Sequence, residues 1–136
     1  MKIKRPKRIK LANQPVSIKQ LDDLAREYVR LRDKKCRVCG GSDYLQTAHF
    51  ISRSNKAVRW DEDNIFLLCA GDHTMRNTSW HKDPGGATEF VKGALGEKKY
   101  RELRLRAAGV KKVDRIAVKL YLLQKIKELK TDERRI

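Results

Sequence analysis

The sequence predicts a small α+β protein, and three observations carry that prediction. Cys36-Arg37-Val38-Cys39 is a C-x2-C pair followed at once by Gly40-Gly41, with a third cysteine far along the chain at Cys69. Between them, Tyr44 to Ile51 is rich in β-favouring residues. On either side of this unit, apolar residues recur at helical spacing in segments bounded by capping residues and glycines.

At 136 residues the chain is long enough for one modest core and short enough that a structural metal would help hold it. Lys and Arg number 33 against 17 Asp and Glu, a formal charge of +16, so the expected partner is a polyanion. No apolar run approaches the length that spans a bilayer, and no signal-peptide core is present, which predicts a soluble, cytoplasmic protein with no membrane partner. Three cysteines cannot all pair, and the C-x2-C spacing favours a shared metal over a disulfide.

In chain order, residues 1–16 read as a flexible basic arm, with Lys2, Lys4, Arg5, Lys7 and Arg8 available to nucleic acid. A solvated tail that only aids solubility is the alternative. Ser17 and Gln20 form a capping box, and Leu21, Leu24, Tyr28 and Leu31 then predict a helix over 18–33 that packs on the cysteine unit without chemistry of its own. Tyr44 to Ile51 predicts a β-hairpin with His49 on one arm, ended by the short polar link Ser52 to Asn55. Ala70 to Thr78 suits a short helix that would put His73 and Asn77 on one face. Asp83-Pro84-Gly85-Gly86 breaks the chain before a helix stopped by Gly96, and a second helix follows over about 97–107. Asp114 can cap a long basic C-terminal helix with Val113, Ile116, Ala117, Leu120, Leu123 and Ile126 turned inward. The expected organisation is thus an arm (1–16), a central domain (17–110) and a C-terminal helix (111–136) packed on it or extending from it.

Thiolates at Cys36 and Cys39 can grip one Zn²⁺ because two intervening residues turn the backbone back on itself, and Cys69 is the natural third ligand. The fourth falls at Asp72, three residues on, or at His73, one helical turn from Cys69. A Cys3Asp site would leave His73 for other work.

These residues, taken in series, resemble the HNH, or ββα-metal, endonuclease family, in its zinc-stapled branch that includes phage recombination endonucleases of the NinG type. The resemblance covers Cys36 to Leu103, about half the chain, and rests on C-x2-C, Ala48-His49-Phe50, Arg59-Trp60-Asp61 with Asn64, Cys69 with His73, and the tail from Glu89-Phe90 through Gly96 and Tyr100 to Leu103. It implies a zinc-stapled ββα-metal, treble-clef-like core, with His49 as general base, Asn64 as the asparagine tying the loop to the hairpin, and His73 as ligand of a catalytic Mg²⁺ or Mn²⁺, Asn77 assisting. It further implies a DNA substrate, duplex or branched, and a phage protein working in a host cell; a homodimer is a further candidate partnership.

Two positions depart from the family. Many members have an acidic residue immediately before the base histidine, where this chain has Ala48, and Asp72 replaces the last zinc cysteine. Asp72 therefore serves either zinc or the catalytic ion.

Phosphodiester hydrolysis needs an activated water, stabilised charge on the phosphoryl oxygens and relief of charge on the leaving oxygen. A neutral imidazole suits the first task. Arg53 and Arg59 could clamp phosphates, or pair with Asp61 or Asp63 instead. His81 could be a third metal ligand near the site, but beside Trp80 and Lys82 in a turn it reads as a surface residue, and both tryptophans, which could stack on bases, read as packing residues. A non-catalytic zinc module that binds nucleic acid, and an assembly component whose basic ends neutralise nucleic acid, are the rival readings.

Overall fold

The structure is a computed structural model and describes residues 15–109 and 112–135. Most of the expected basic arm, including Lys2, Lys4, Arg5, Lys7 and Arg8, lies outside the described residues. The described chain is a mixed α+β protein whose only sheet there has two strands.

Helix α1 spans Ile18–Asp33 and starts on the capping box, with the Ser17 hydroxyl accepting from the Gln20 amide and the Gln20 side chain accepting from the Ser17 amide. Strand β1 is Leu45–His49 and strand β2 is Ile65–Cys69, paired antiparallel with His49 opposite Ile65 and Leu45 opposite Cys69. The hairpin therefore differs from the expected one. Its second arm lies beyond residues 50–64, and Ser52 to Asn55 is only the first turn of that long connection. A short π-helix, Gly71–Met75, follows, then α2 (Pro84–Leu95), α3 (Glu97–Ala108) and α4 (Arg115–Arg134).

All five residues of β2 are buried, because alternate side chains feed two apolar clusters on opposite faces of the sheet. Ile65 and Leu67 join Leu21, Tyr28 and Val29 of α1 with Leu122 and Ile126 of α4. Phe66 and Leu68 join Ala48, Trp80, Ala87 and Val91 on the other face. The free edge of β2 is closed by polar groups. Asp33 accepts from the Leu67 amide at 3.0 Å, the Arg37 amide donates to the Leu67 carbonyl at 2.8 Å, and Arg32 donates to the carbonyls of Glu62 and Ile65 at 2.7 and 2.6 Å.

Two assignments made from periodicity shift. Val16, placed in the arm by the sequence, is buried in the α1–α4 cluster. On α4 the buried face is Leu122 and Ile126, flanked by Val118 and Leu129, whereas Ile116, Ala117, Leu120 and Leu123 are exposed. The helix carries apolar residues on two faces, so its pattern admits two orientations. The actual one is fixed by α1.

Residues 50–64 are held from both ends and from outside. Fully buried Asn64 accepts from the Ile51 amide at 2.6 Å and donates to the carbonyls of Ile51 and Val58 at 3.0 and 2.9 Å. From α3, the Ala107 carbonyl accepts from Asn55 at 2.9 Å, and Arg106 pairs with Asp61 at 2.7 Å and Asp63 at 3.1 Å.

Candidate functional site

Cys36, Cys39, Cys69 and Asp72 bring one ligand atom each to within 4.8 Å of one another. The knuckle closes because the Gly40 amide donates to the Cys36 carbonyl while the Cys36 amide donates to Gly41, each at 2.9 Å, and Gly40 adopts φ +75°, which a side chain would disfavour. Cys69 ends β2, and the π-helix beginning two residues later turns Asp72 back onto it.

The donor set and its spacing fit a tetrahedral zinc. Sulfurs bound at about 2.3 Å in a tetrahedron stand about 3.8 Å apart, and the Cys39 and Cys69 sulfurs are separated by 3.7 Å. Asp72 Oδ2 lies 3.2 Å from the Cys36 sulfur and 3.3 Å from that of Cys69, and its other oxygen accepts from Arg76 at 2.9 Å. Burial alone would raise the Asp72 carboxyl, but hydrogen bonds from the three thiols and the Arg76 charge outweigh it and hold the pKa below the usual carboxylate range. Burial pushes the Cys69 thiol up to about 11, so a cation is what would draw thiolates out of this cluster at neutral pH. Asp72 thus stands with the cysteines, where a structural metal such as zinc fits.

A cleft of about 950 Å³ runs along β1. His49 and Phe50 line it from the end of the strand, Asp22, Arg26 and Arg30 from α1, Arg53 from the loop, and His73 and His81 from beyond β2.

His49 Nε2 lies 2.9 Å from the Arg59 carbonyl, which can only accept, so Nε2 carries the proton and Nδ1 is the basic nitrogen. This backbone hydrogen bond selects the tautomer rather than consuming the ring. Burial, with the charges of Arg53 and Arg59, outweighs the Arg59 carbonyl and Asp22 and brings the His49 pKa down to about 4. The imidazole is neutral at pH 7.

Across the cleft, His73 Nδ1 lies 2.7 Å from Gln46 Oε1, which makes Nδ1 the protonated nitrogen and turns the Nε2 lone pair outward. His81 Nε2 stands 3.2 Å from that nitrogen. For nitrogens about 2.1 Å from an ion, that separation corresponds to an angle of about 100° at the ion, so the pair fits two ligand positions of one divalent cation. Burial, then the neighbouring His81 and Arg53, lower the His73 pKa and favour the neutral form that binds metal.

The chain matches no family model, no curated protein and no solved structure.

Three side chains depart from their expected places. Asn77 is exposed in the turn after the π-helix and does not share a face with His73, because the helix stops at Met75. The chain instead doubles back. The Trp80 and His81 amides donate to the Asp72 and His73 carbonyls at 2.9 and 3.2 Å, which carries His81 beside His73. Arg59 is no phosphate clamp, since its guanidinium grips both oxygens of Asp22, at 3.0 and 2.7 Å, and neither Asp61 nor Asp63 is its partner. The Trp60 indole donates to the same carboxylate at 2.8 Å. Arg53 is exposed, and among the described residues its guanidinium has no hydrogen-bond or ion-pair partner. Ala48 is fully buried beside Phe66 and Trp80, so a carboxylate there would enter an apolar cluster, and Gln46, two residues earlier on the same strand face, is what meets His73.

Gln46 and Asp22 are the residues that sequence reasoning missed, and His81 is the one it set aside as a surface residue. For Gln46 the available signal was its i, i+2 relation to Ala48. For Asp22 and His81 there was none, because their contacts depend on how separate segments pack.

Proposed function

We propose that this protein is a metal-dependent DNA endonuclease of the HNH type with a zinc-stapled ββα-metal core, acting on duplex or branched DNA in the manner of the phage recombination branch it resembles. The observation that carries the reading is one cleft holding a neutral histidine of defined tautomer, a pair of imidazole nitrogens 3.2 Å apart and an arginine with no partner among the described residues.

In this reading His49 Nδ1 takes the proton from the attacking water as it adds to phosphorus. The Arg59 carbonyl holds the ring against rotation while Nδ1 becomes protonated, and Asp22 holds Arg59. Arg53 supplies a bidentate donor for a non-bridging phosphoryl oxygen. His73 and His81 would hold a Mg²⁺ or Mn²⁺, which when bound supplies positive charge to the phosphoryl and leaving oxygens. Gln46 fixes the His73 ring so that Nε2 faces outward. Asn64 acts through the loop, by keeping the Arg59 carbonyl in place.

Ala48 favours a second reading, a zinc-containing module that binds nucleic acid without cutting it. Among the described residues no carboxylate joins the His73–His81 pair, and the only group of three or more His, Cys, Asp or Glu able to hold a metal there is the cysteine cluster. Nicking of supercoiled plasmid in Mg²⁺ or Mn²⁺ separates the two. The endonuclease reading expects His49→Ala to lose roughly 10² to 10⁴ in rate with little loss of DNA affinity. His73→Ala and His81→Ala should each lose activity and partly recover it at high Mn²⁺. Absence of divalent-dependent cleavage by the wild type, or wild-type rates in His49→Ala and His73→Ala, would leave the binding module.

A further inference from the structure

The sequence assigns no chemistry to α1, yet α1 builds one whole wall of the cleft. Asp22, Arg26 and Arg30 succeed one another at four-residue intervals, so they share a helix face, and all three line the same cavity as His73 and His81. Their charges are not equally available. Asp22 is occupied by Arg59 and Trp60. Arg30 is exposed with no side-chain partner among the described residues, and Arg26 has only a 3.4 Å contact to the exposed Asp23.

Arg53, also exposed and unpartnered among the described residues, stands close enough to depress both His49 and His73. The cleft lining therefore carries three arginines against one carboxylate that is already neutralised. Guanidinium groups are weakly hydrated forks suited to phosphate oxygens, and three of them lining one cleft leave a site complementary to a polyanion.

We infer that Arg26 and Arg30 of α1, with Arg53 facing the two histidine groups, form a phosphate rail that seats the sugar–phosphate backbone of a DNA strand along the cleft. The partner is the phosphodiester backbone itself, because guanidinium forks on an exposed helix face contact phosphates without reading bases. This rests on the endonuclease reading for its geometry of use, since the seated phosphate would lie between His49 and the His73–His81 pair, but binding can be measured without cleavage.

The test is fluorescence anisotropy of a labelled DNA duplex with the full-length, zinc-loaded protein in buffer free of added divalent ion, titrated over salt. Each phosphate contact contributes about 0.9 to the slope of log affinity against log salt. Arg26→Ala/Arg30→Ala should therefore lower the slope by about 1.8, so that raising salt from 50 to 200 mM weakens the variant about 12-fold less than the wild type. The control, Lys98→Ala/Lys99→Ala on α3, removes the same charge from exposed positions outside the cleft and should change the slope by well under 1. Arg26→Lys/Arg30→Lys should restore most of the slope. All the positions changed are exposed, and an unchanged circular dichroism melt checks folding.

An unchanged slope in Arg26→Ala/Arg30→Ala, or a loss equal to that of the α3 control, overturns the rail and leaves diffuse electrostatic attraction. A protein that shows the slope loss yet never cleaves keeps the rail and loses the endonuclease. One that cleaves with no slope loss does the reverse.

Discussion

Replacing Asn64 with alanine should loosen the loop on which the candidate site depends, and the size of the effect follows from the hydrogen bonds lost. The side chain has no exposed surface and serves three backbone groups, the Ile51 amide, the Ile51 carbonyl and the Val58 carbonyl. The Val58 carbonyl keeps a second partner, the Asp61 amide at 3.1 Å, so two groups are orphaned. Each unsatisfied group costs about 1–3 kcal/mol. Because Ile51 is only half-buried and water can reach it, the lower part of that range applies, giving about 2–4 kcal/mol in total. In a urea titration of the zinc-loaded protein with m near 1.5–2 kcal/mol/M, the midpoint should fall by about 1–3 M. Asn64→Asp should do as much damage, since a carboxylate keeps the acceptor for the Ile51 amide but faces two carbonyls with no donor. A midpoint shift below about 0.3 M for Asn64→Ala, with m unchanged, would refute the account of how residues 50–64 are held.

Chelating the metal, or changing Cys36→Ser, should lower the melting temperature sharply, because structural zinc contributes folding free energy directly; metal analysis finding no zinc in protein purified without chelator would contradict it. Asp72→Asn should weaken zinc binding and release Arg76 while leaving the His73–His81 pair in place, which competition with a chromogenic chelator can check. The His49 ring should titrate near pH 4 by NMR, so the base form is lost only as pH falls through that value and not through the ordinary value of 6.5. Arg53→Ala removes a charge that holds this pKa down and should move the midpoint upward; a midpoint at 6.5 in the wild type contradicts the buried, neutral ring. Asp22→Asn should weaken the link between α1 and the loop, and a ring-nitrogen spectrum showing His49 still fully in the Nε2-protonated tautomer would mean the Arg59 carbonyl needs no such brace.

What the sequence revealed was local. The capping box at Ser17, the stop at Gly96 and the cap at Asp114 act within a few residues of themselves, and each helix end fell where its cap placed it. The cysteine cluster was legible for the same reason, since C-x2-C and the three-residue step from Cys69 to Asp72 are both short-range constraints. Strand β2 was not legible, because Ile65-Phe66-Leu67-Leu68-Cys69 is buried on both faces and shows no alternation. Nor was the orientation of α4, whose second apolar face competes with the first in any periodicity count. Asn77 was preferred to His81 because helical spacing was extended past Met75, where the backbone instead reverses and pairs with itself. Arg59 could not be placed because its partner, Asp22, lies on another element.

The segment from Cys36 to Leu103 carries the motif residues, but it does not by itself make the cleft. The ring of His49 is oriented by the Arg59 carbonyl, and the Arg59 side chain is held by Asp22, which belongs to α1. The same helix presents Arg26 and Arg30 to the cavity and buries Leu21 and Val29 against β2. Helix α4 in turn covers α1 through Leu122 and Ile126, and Arg115 at its start donates to the Val16 carbonyl at 3.2 Å. A residue near the C-terminus thus steadies the entry to α1, which positions Arg59 and through it His49. Reading α1 as an inert packing helix would therefore leave the Arg59 side chain without Asp22, its carboxylate partner. The site's geometry belongs to the described chain as a whole, whereas the Cys3Asp cluster belongs to the knuckle and the turn after β2.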